Sequence, residues 1–445
     1  MSEAVTTRQQ ELAGKYRPYP EYKDSGVVWL GEMPSTWVLA KTARYFKIAM
    51  GQTILKEQLE DDGEWPVYSA TEGDHYFGRV NNPQVRLGCG DLVIPARGNS
   101  IGFVKLVKEQ VTTTQTTIYC KHLTQKIYPE YAYYFMVGQK KNLFWFTQTA
   151  IPQITVEEIG SNPILLPSFE EQRTIAAFLD YETARIDRLI AQQQRLIELL
   201  QEKRQAVISH AVTKGLNPHA PMKDSGVEWL GQVPEHWNVT KFGFISNVVR
   251  GGSPRPAGDP ELFDGDYSPW VTVAEITKDE EVYLESTESF LTEKGSKQCR
   301  VFRRGTLLLS NSGATLGVPK ILSIDANAND GVVGFEKLSV NTEYAYFYLS
   351  TLTDNLRERI KQGSGQPNLN TDIVKSIVIP LPPSGEVEAI LSEIKTHRIT
   401  FSVLISKADT AIKLMQERRT ALISAAVTGK IDLRGWTPPA EEAAA

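Results

Sequence analysis

The residues nearest to a catalytic or cofactor pattern each fall short of one. GATLGVPK, from Gly313, approaches a phosphate-cradling loop, but its spacing is wrong and no Ser or Thr follows the lysine. Asn82-Pro83 and Asn162-Pro163 begin an amino-methyltransferase motif, but lack its second proline and aromatic residue. The six histidines form no HExxH or HxxxH pair. Cys89, Cys120 and Cys299 are odd in number, without CxxC spacing, which predicts reduced thiols rather than disulfides or zinc. The expectation is a chain with no catalytic residues, no metal and no cofactor of its own.

Composition is that of an ordinary globular protein: 445 residues, 41% apolar and 23% charged. That length suggests two to four domains, at roughly 100–200 residues each. No apolar run reaches ~18 residues, so no membrane span is expected. The opening MSEAVTTRQQ is polar, unlike a secretory signal, and a cytoplasmic location is expected. The net charge of −5 argues against a simple nucleic-acid binder. It does not exclude one, because DNA responds to local potential and a partner can supply cations.

The elements that position the candidate residues come in two copies. KDSGVVWLG from Lys23 and KDSGVEWLG from Lys223 agree at eight of nine positions, at an offset of 200. The match runs on through Pro34 and Trp37 to Pro234 and Trp237. LLQEKRQAVISHAVT from Leu199 and LMQERRTALISAAVT from Leu414 agree at ten of fifteen, at an offset of 215. GDLVIPARGNSIG from Gly90 aligns with GTLLLSNSGATLG from Gly305, and AIPQIT from Ala150 with GQPNLN from Gly365. LLPSFEEQ from Leu165 aligns with PLPPSGEV from Pro380. The extra residues of the second copy therefore lie before Gly305. A duplicated scaffold with divergent interiors fits two modules of one fold that read two different things.

Each copy ends in a long helical pattern. Ser168 to Thr213 holds no Gly or Pro. Its stripe of Ile186, Leu189, Ile190, Leu196, Ile197, Leu200, Val207, Ile208 and Ala211 has coiled-coil spacing. Asp180 or Thr183 is the expected cap, with a rod of roughly 50 Å beyond it. The second stripe is Phe401, Leu404, Ile405, Ile412, Met415, Leu422, Ile423 and Ala426. DLVIPA, FVKLV, TLLLS and IVIPLP read as strands, and YAYYFM and YAYFYL as short buried helices. The predicted class is α+β: two mixed α/β domains separated by a pair of long antiparallel coiled-coil helices, with a pseudo-two-fold repeat. The blocks are 1–22 (extension), 23–167 (first domain), 168–215 (helical), 216–382 (second domain with a short linker), 383–430 (helical) and 431–445 (flexible tail).

KYRPYPEYKDSGVVWLGEMPSTW and PMKDSGVEWLGQVPEHW resemble the edges of the target-recognition domains of type I restriction–modification specificity (S) subunits. The segments around SFEEQRTIAAFLD, LLQEKRQAVISHAVTKGL and QERRTALISAAVTGKIDLRG resemble that family's central and distal conserved regions. The resemblance covers almost the whole chain. It implies a non-catalytic adaptor that reads a bipartite double-stranded DNA target, one part per domain. Two modification (M) subunits would carry S-adenosylmethionine, and restriction (R) subunits would add ATP- and Mg-dependent functions. The competing readings are a methyltransferase or nuclease half with an unrecognised active site, and a purely structural coiled-coil protein.

On the DNA reading, side chains that reach base edges or phosphates belong in the divergent loops. In the first domain these are Tyr68, Ser69, Arg97, Asn99, Ser100, Lys105 and Gln153. In the second they are Arg250, Arg255, Asn311, Ser312, Thr315, Lys320, Gln366 and Asn368. Trp37 and Trp237, and Trp29 and Trp229, are expected in the core, because both halves keep them while their targets should differ.

Overall fold

The computed structural model describes residues 16–144, 152–313, 315–361 and 368–439. The chain divides into two compact units that cut across the linear blocks of the sequence. One runs to Arg195 and resumes at Asp409; the other spans Leu196–Ala408.

The first unit contains a four-stranded sheet in the order Phe46–Met50, Thr117–His122, Leu92–Pro95, Lys105–Leu106. Leu92–Pro95 is buried along its whole length, which is why its sequence is a continuous apolar run rather than an alternation. A three-stranded sheet, in the order Gly78–Val80, Trp65–Tyr68, Thr112–Thr113, is built from strands interleaved in sequence with these. Helix Pro129–Gly138 buries Tyr131, Ala132, Tyr134, Phe135 and Met136, as its aromatic run predicts.

The second unit repeats this plan around Asn247–Arg250, Val332–Glu336, Leu307–Ser310, Pro319–Leu322 and an added parallel strand, Tyr283–Leu284. Its helix Thr342–Ser350 buries Tyr344 through Leu349. A four-stranded sheet, in which Ser268–Val271 pairs in parallel with Ala326–Ala328, is the counterpart of the first unit's three-stranded sheet, where Trp65–Tyr68 pairs in parallel with Thr112–Thr113.

The long helices are Phe169–Lys214, 46 residues, and Ser384–Val427, 44 residues. At ~1.5 Å per residue the first is about 69 Å long, longer than the expected rod. The correction lies at its start. Neither Asp180 nor Thr183 caps it: Thr183 Oγ1 bonds the Leu179 carbonyl, and Asp180 accepts the Tyr134 hydroxyl at 2.6 Å. Ser168 accepts from Glu171 N–H instead, about five turns before the apolar stripe begins at Ile186. Gly215 (φ +76°) and Gly429 (φ +69°) follow the two helix ends in the left-handed conformation that stops a helix.

Each unit grips one end of each helix. In the first, the Tyr131 hydroxyl donates toward the carbonyls of Leu165 (3.0 Å) and Val427 (3.5 Å), and Arg419 meets Asp187 further along. The two helices are therefore antiparallel there. In the second, the Tyr344 hydroxyl bonds the carbonyls of Pro380 (2.8 Å) and Val212 (3.0 Å). Trp37 and Trp237 are fully buried, and their indole N–H groups reach Glu171 (3.2 Å) and Glu386 (2.9 Å) at the two helix starts. Trp29 and Trp229 pack against the same cores.

Two expectations change. The apolar stripe is only partly a seam: Ile186, Ile208, Ala211, Phe401, Leu422, Ile423 and Ala426 are buried, but Leu189, Leu196 and Leu404 are exposed. The start of the tail is folded, because Ile431 and Leu433 are buried and Trp436 packs edge-on to Phe178. The three cysteines are free, and burial pushes the Cys120 thiol up, with Asp91 adding to the shift.

Candidate nucleic-acid interface

In each unit the central sheet ends in a cluster of loops with one backbone frame. The loop after Leu92–Pro95 meets the segment before helix Val156–Ser161 through a bridge between Arg97 and Gln153. Ile154 N–H bonds the Ala96 carbonyl at 3.0 Å. The second unit repeats the bridge as Ser312 with Asn368, and the bond as Leu369 N–H to the Asn311 carbonyl at 2.7 Å. All four partners are shifted by 215. Gly98 and Gly102 have φ of +72° and +73°, and their equivalents Gly313 and Gly317 have +78° and +85°. Glycine is needed at each to turn the chain without a Cβ penalty. The frame is thus common, while the side chains it presents differ: Arg97 against Ser312, Ser100 against Thr315, Gln153 against Asn368.

A third loop completes the cluster and was not singled out from the sequence. In the first unit it is the turn Thr113–Thr117, with Gln115 exposed at its tip and accepting from Thr53 Oγ1 at 2.9 Å. Ser69, Thr114 and Thr116 are joined through their hydroxyls. In the second unit Asp330 takes the place of Gln115. Its carbonyl accepts from Arg250 Nε (2.6 Å) and its carboxylate from Ser253 Oγ (2.9 Å). Gly51 and Gly251 let the neighbouring strand ends approach, since a Cβ there would overlap the carbonyls of Thr114 and Asn329. The usable signal was the repeat itself: a polar residue 215 positions from another polar residue, each between two β runs.

The sequence candidates fall into two groups. Arg97, Asn99, Gln153, Arg250, Arg255, Thr315 and Asn368 are exposed, and Ser69 and Ser312 are half-buried. Of these, Arg255 stands on a backbone tied to Gln298 (3.0 Å). Tyr68, Ser100, Lys105, Asn311 and Lys320 are buried, which corrects their reading as base or phosphate contacts. Lys105 donates to Thr71 Oγ1 (2.9 Å) and the Gly73 carbonyl, and its ammonium lies 5.0 Å from the Tyr68 ring centroid. Burial pulls its pKa below the ordinary lysine value. Lys320, its equivalent, is ion-paired with Asp279. Ser100 Oγ bonds the Ala70 carbonyl at 3.0 Å. Asn311 replaces Ala96 beneath the loops, and its Oδ1 finds no partner among the described residues. Gln366 lies outside the described residues.

A profile of the type I restriction modification DNA specificity domain matches residues 34–199 and again 234–408. The chain belongs to this family. Among its relatives is the MjaIX specificity subunit of Methanocaldococcus jannaschii, 33% identical over 166 residues, which is 36% of this chain and 38% of that subunit. The MjaVIII specificity subunit of the same organism is 22% identical over 431 residues, 90% of this chain and 94% of that one. Two solved structures share the fold. One is a chain from a study of type I R-M complex assembly and conformational transition, with TM-score 0.68 and 14% identity over 89% of this chain and 98% of that one. The other is the HsdS subunit from Thermoanaerobacter tengcongensis, with TM-score 0.50 and 15% identity over 90% and 98%. The two profile matches coincide with the two halves of the repeat, so each loop cluster belongs to one specificity domain.

Proposed function

We propose that each loop cluster reads one half of a bipartite double-stranded DNA target, and that the long helices set the spacer between the halves. The observation that carries this is the pairing of one backbone frame with two sets of exposed side chains. Phosphate contacts fix register, whereas base edges are discriminated by side chains such as Arg, Gln and Asn. Arg97 suits a bidentate contact to guanine, and Gln153 and Asn368 suit adenine.

The chain supplies no catalysis in this reading. Methylation belongs to two M subunits carrying S-adenosylmethionine, and cleavage to R subunits using ATP and Mg. Exposed apolar residues on the helices, Leu189 in the first unit and Leu196, Leu199, Ile399 and Val403 in the second, support docking of M subunits. Light scattering of the purified complex should give two M subunits per chain, and a one-to-one complex at saturating M would contradict this.

Replacing residues 224–382 with another recognition domain of the family tests the reading. Methylated adenines mapped in cells that express the chimera with its M partner should show one altered half-site and one unchanged. Alteration of both halves would refute independent reading.

A further inference from the structure

The first unit carries a cation cluster that its repeat lacks. Lys47 and Lys121 are direct cross-strand partners on strands Phe46–Met50 and Thr117–His122, and both are exposed. Like charges directly opposite on one sheet face, with Cβ atoms about 5 Å apart, destabilise a sheet. A third cation adjoins them. Lys121 Nζ donates to the Arg86 carbonyl at 3.0 Å, and the exposed Arg86 guanidinium sits 5.3 Å from the Trp65 ring centroid. Among the described residues no ion pair involves Lys47, Lys121 or Arg86. The nearby Asp91 carboxylate is engaged by the N–H groups of Gly88 and His122, each at 2.9 Å.

The second unit shows that the fold does not require these lysines. The same register position holds Asn247 opposite Glu336. Glu336 is neutralised by Arg300 at 3.0 Å, and Asn247 Nδ2 bonds it at 3.3 Å. Where one copy has a compensated pair, the other keeps three cations together in a chain whose net charge is −5. The cluster lies four residues along its strand from Thr117, the loop-cluster end, or roughly 13 Å. That is within the span of a duplex seated on the loops.

We infer that Lys47, Lys121 and Arg86 form a phosphate-binding site for the DNA backbone flanking the first half-site, a contact the second domain does not make. The inference rests on the DNA-reading function proposed above. The site anchors the duplex without reading it, since lysine meets phosphate as a point charge.

The test uses the full chain with its M partner, a duplex bearing the mapped target and a scrambled duplex, over a salt series. Each neutralised phosphate contributes about 0.9 to the slope of log K against log salt. Lys47→Gln with Lys121→Gln should flatten the slope by roughly two units on both duplexes. The single change Lys121→Gln should flatten it by about one. Thermal stability should hold or rise, because like-charge repulsion is relieved. Methylation mapping should return the same target bases. An unchanged slope in a folded variant overturns the phosphate site while leaving DNA reading intact. A changed target sequence also overturns it, since the residues would then be readers. Absence of any binding by the unmodified complex would instead sink the DNA-reading function itself.

Discussion

Arg419 and Arg204 occupy equivalent positions on the two long helices, 215 residues apart, yet they meet different partners. In the first unit Arg419 reaches across to Asp187 of the opposing helix at 3.0 Å, without hydrogen-bond alignment at its Nε. In the second unit the position equivalent to Asp187 is Ser402, and Arg204 pairs with Glu280 instead. Glu280 comes from the segment that holds the extra residues of the second copy. Arg398 donates to the Glu280 carbonyl at 3.3 Å, and Lys395 pairs with Glu343 at 2.7 Å, which also accepts the Tyr283 hydroxyl at 2.6 Å. The insertion is thus strapped to the helices by the arginine that the first unit uses for helix pairing. Exposed ion pairs contribute about 0–1 kcal/mol each, so the strap orients the insertion more than it stabilises the unit. A duplicated scaffold can relocate a partner without losing its cation.

The largest expected contrast comes from the buried tryptophans. Trp37→Ala and Trp237→Ala should each cost about 3–5 kcal/mol. Trp37→Ala should cost more, because it removes one donor from Glu171, which is only 8% exposed, leaving the Tyr19 hydroxyl. Glu386 has a 43% exposed side chain and can turn to water. Hydrogen exchange resolved by unit would measure both losses; a larger effect of Trp237→Ala would break the argument.

A smaller contrast concerns acid. The hydrogen bond from Lys320 holds the Asp279 carboxyl below its ordinary value. Burial raises the Glu343 carboxyl, but bonds from Lys395 and Tyr283 outweigh it and leave the group below its ordinary value. Depressed carboxylates contribute stability above their unfolded pKa and lose it as pH falls through the folded one. The strap should therefore loosen below about pH 4. Lys105, equivalent to Lys320, binds a hydroxyl and a carbonyl, which do not titrate there. Exchange protection should fall at Tyr283–Leu284 on acidification while Lys105–Leu106 holds. Equal loss at both strands would remove the distinction.

The smallest effect sharpens the partner relocation. Glu280→Gln alone should cost at most about 1 kcal/mol, given the 73% exposed carboxylate. Adding Ser402→Asp should recover part of that by restoring to Arg204 the helix partner that Arg419 has. A double-mutant cycle reads this coupling, and zero coupling would show that the two arginines are not interchangeable in role.

Of the candidate interface, the paired loops were legible. The offset of 215 matched Arg97 with Ser312 and Gln153 with Asn368, and the structure joins each pair across one bridge. Lys105 and Lys320 were misread as surface cations, because nothing local announces an acceptor that arrives from 41 residues away, as Asp279 does for Lys320. Nothing in the sequence marks Gln115, because its neighbours are threonines and a lone polar residue in a turn usually satisfies local backbone.

The sequence by itself determined the duplication, the two long helices and the buried tryptophans. These follow from identities at constant offset, from runs without glycine or proline, and from apolar periodicity, all of which act over a few turns of chain. Only the tertiary structure decided which helix end docks on which domain. The Tyr22 hydroxyl bonds the Gly429 carbonyl across 407 residues, and Gly429 packs on Pro34 and Trp37 as Gly215 packs on Trp237. Periodicity shows which face of a helix is buried, but not the surface that covers it, because the covering residues come from the far end of the chain.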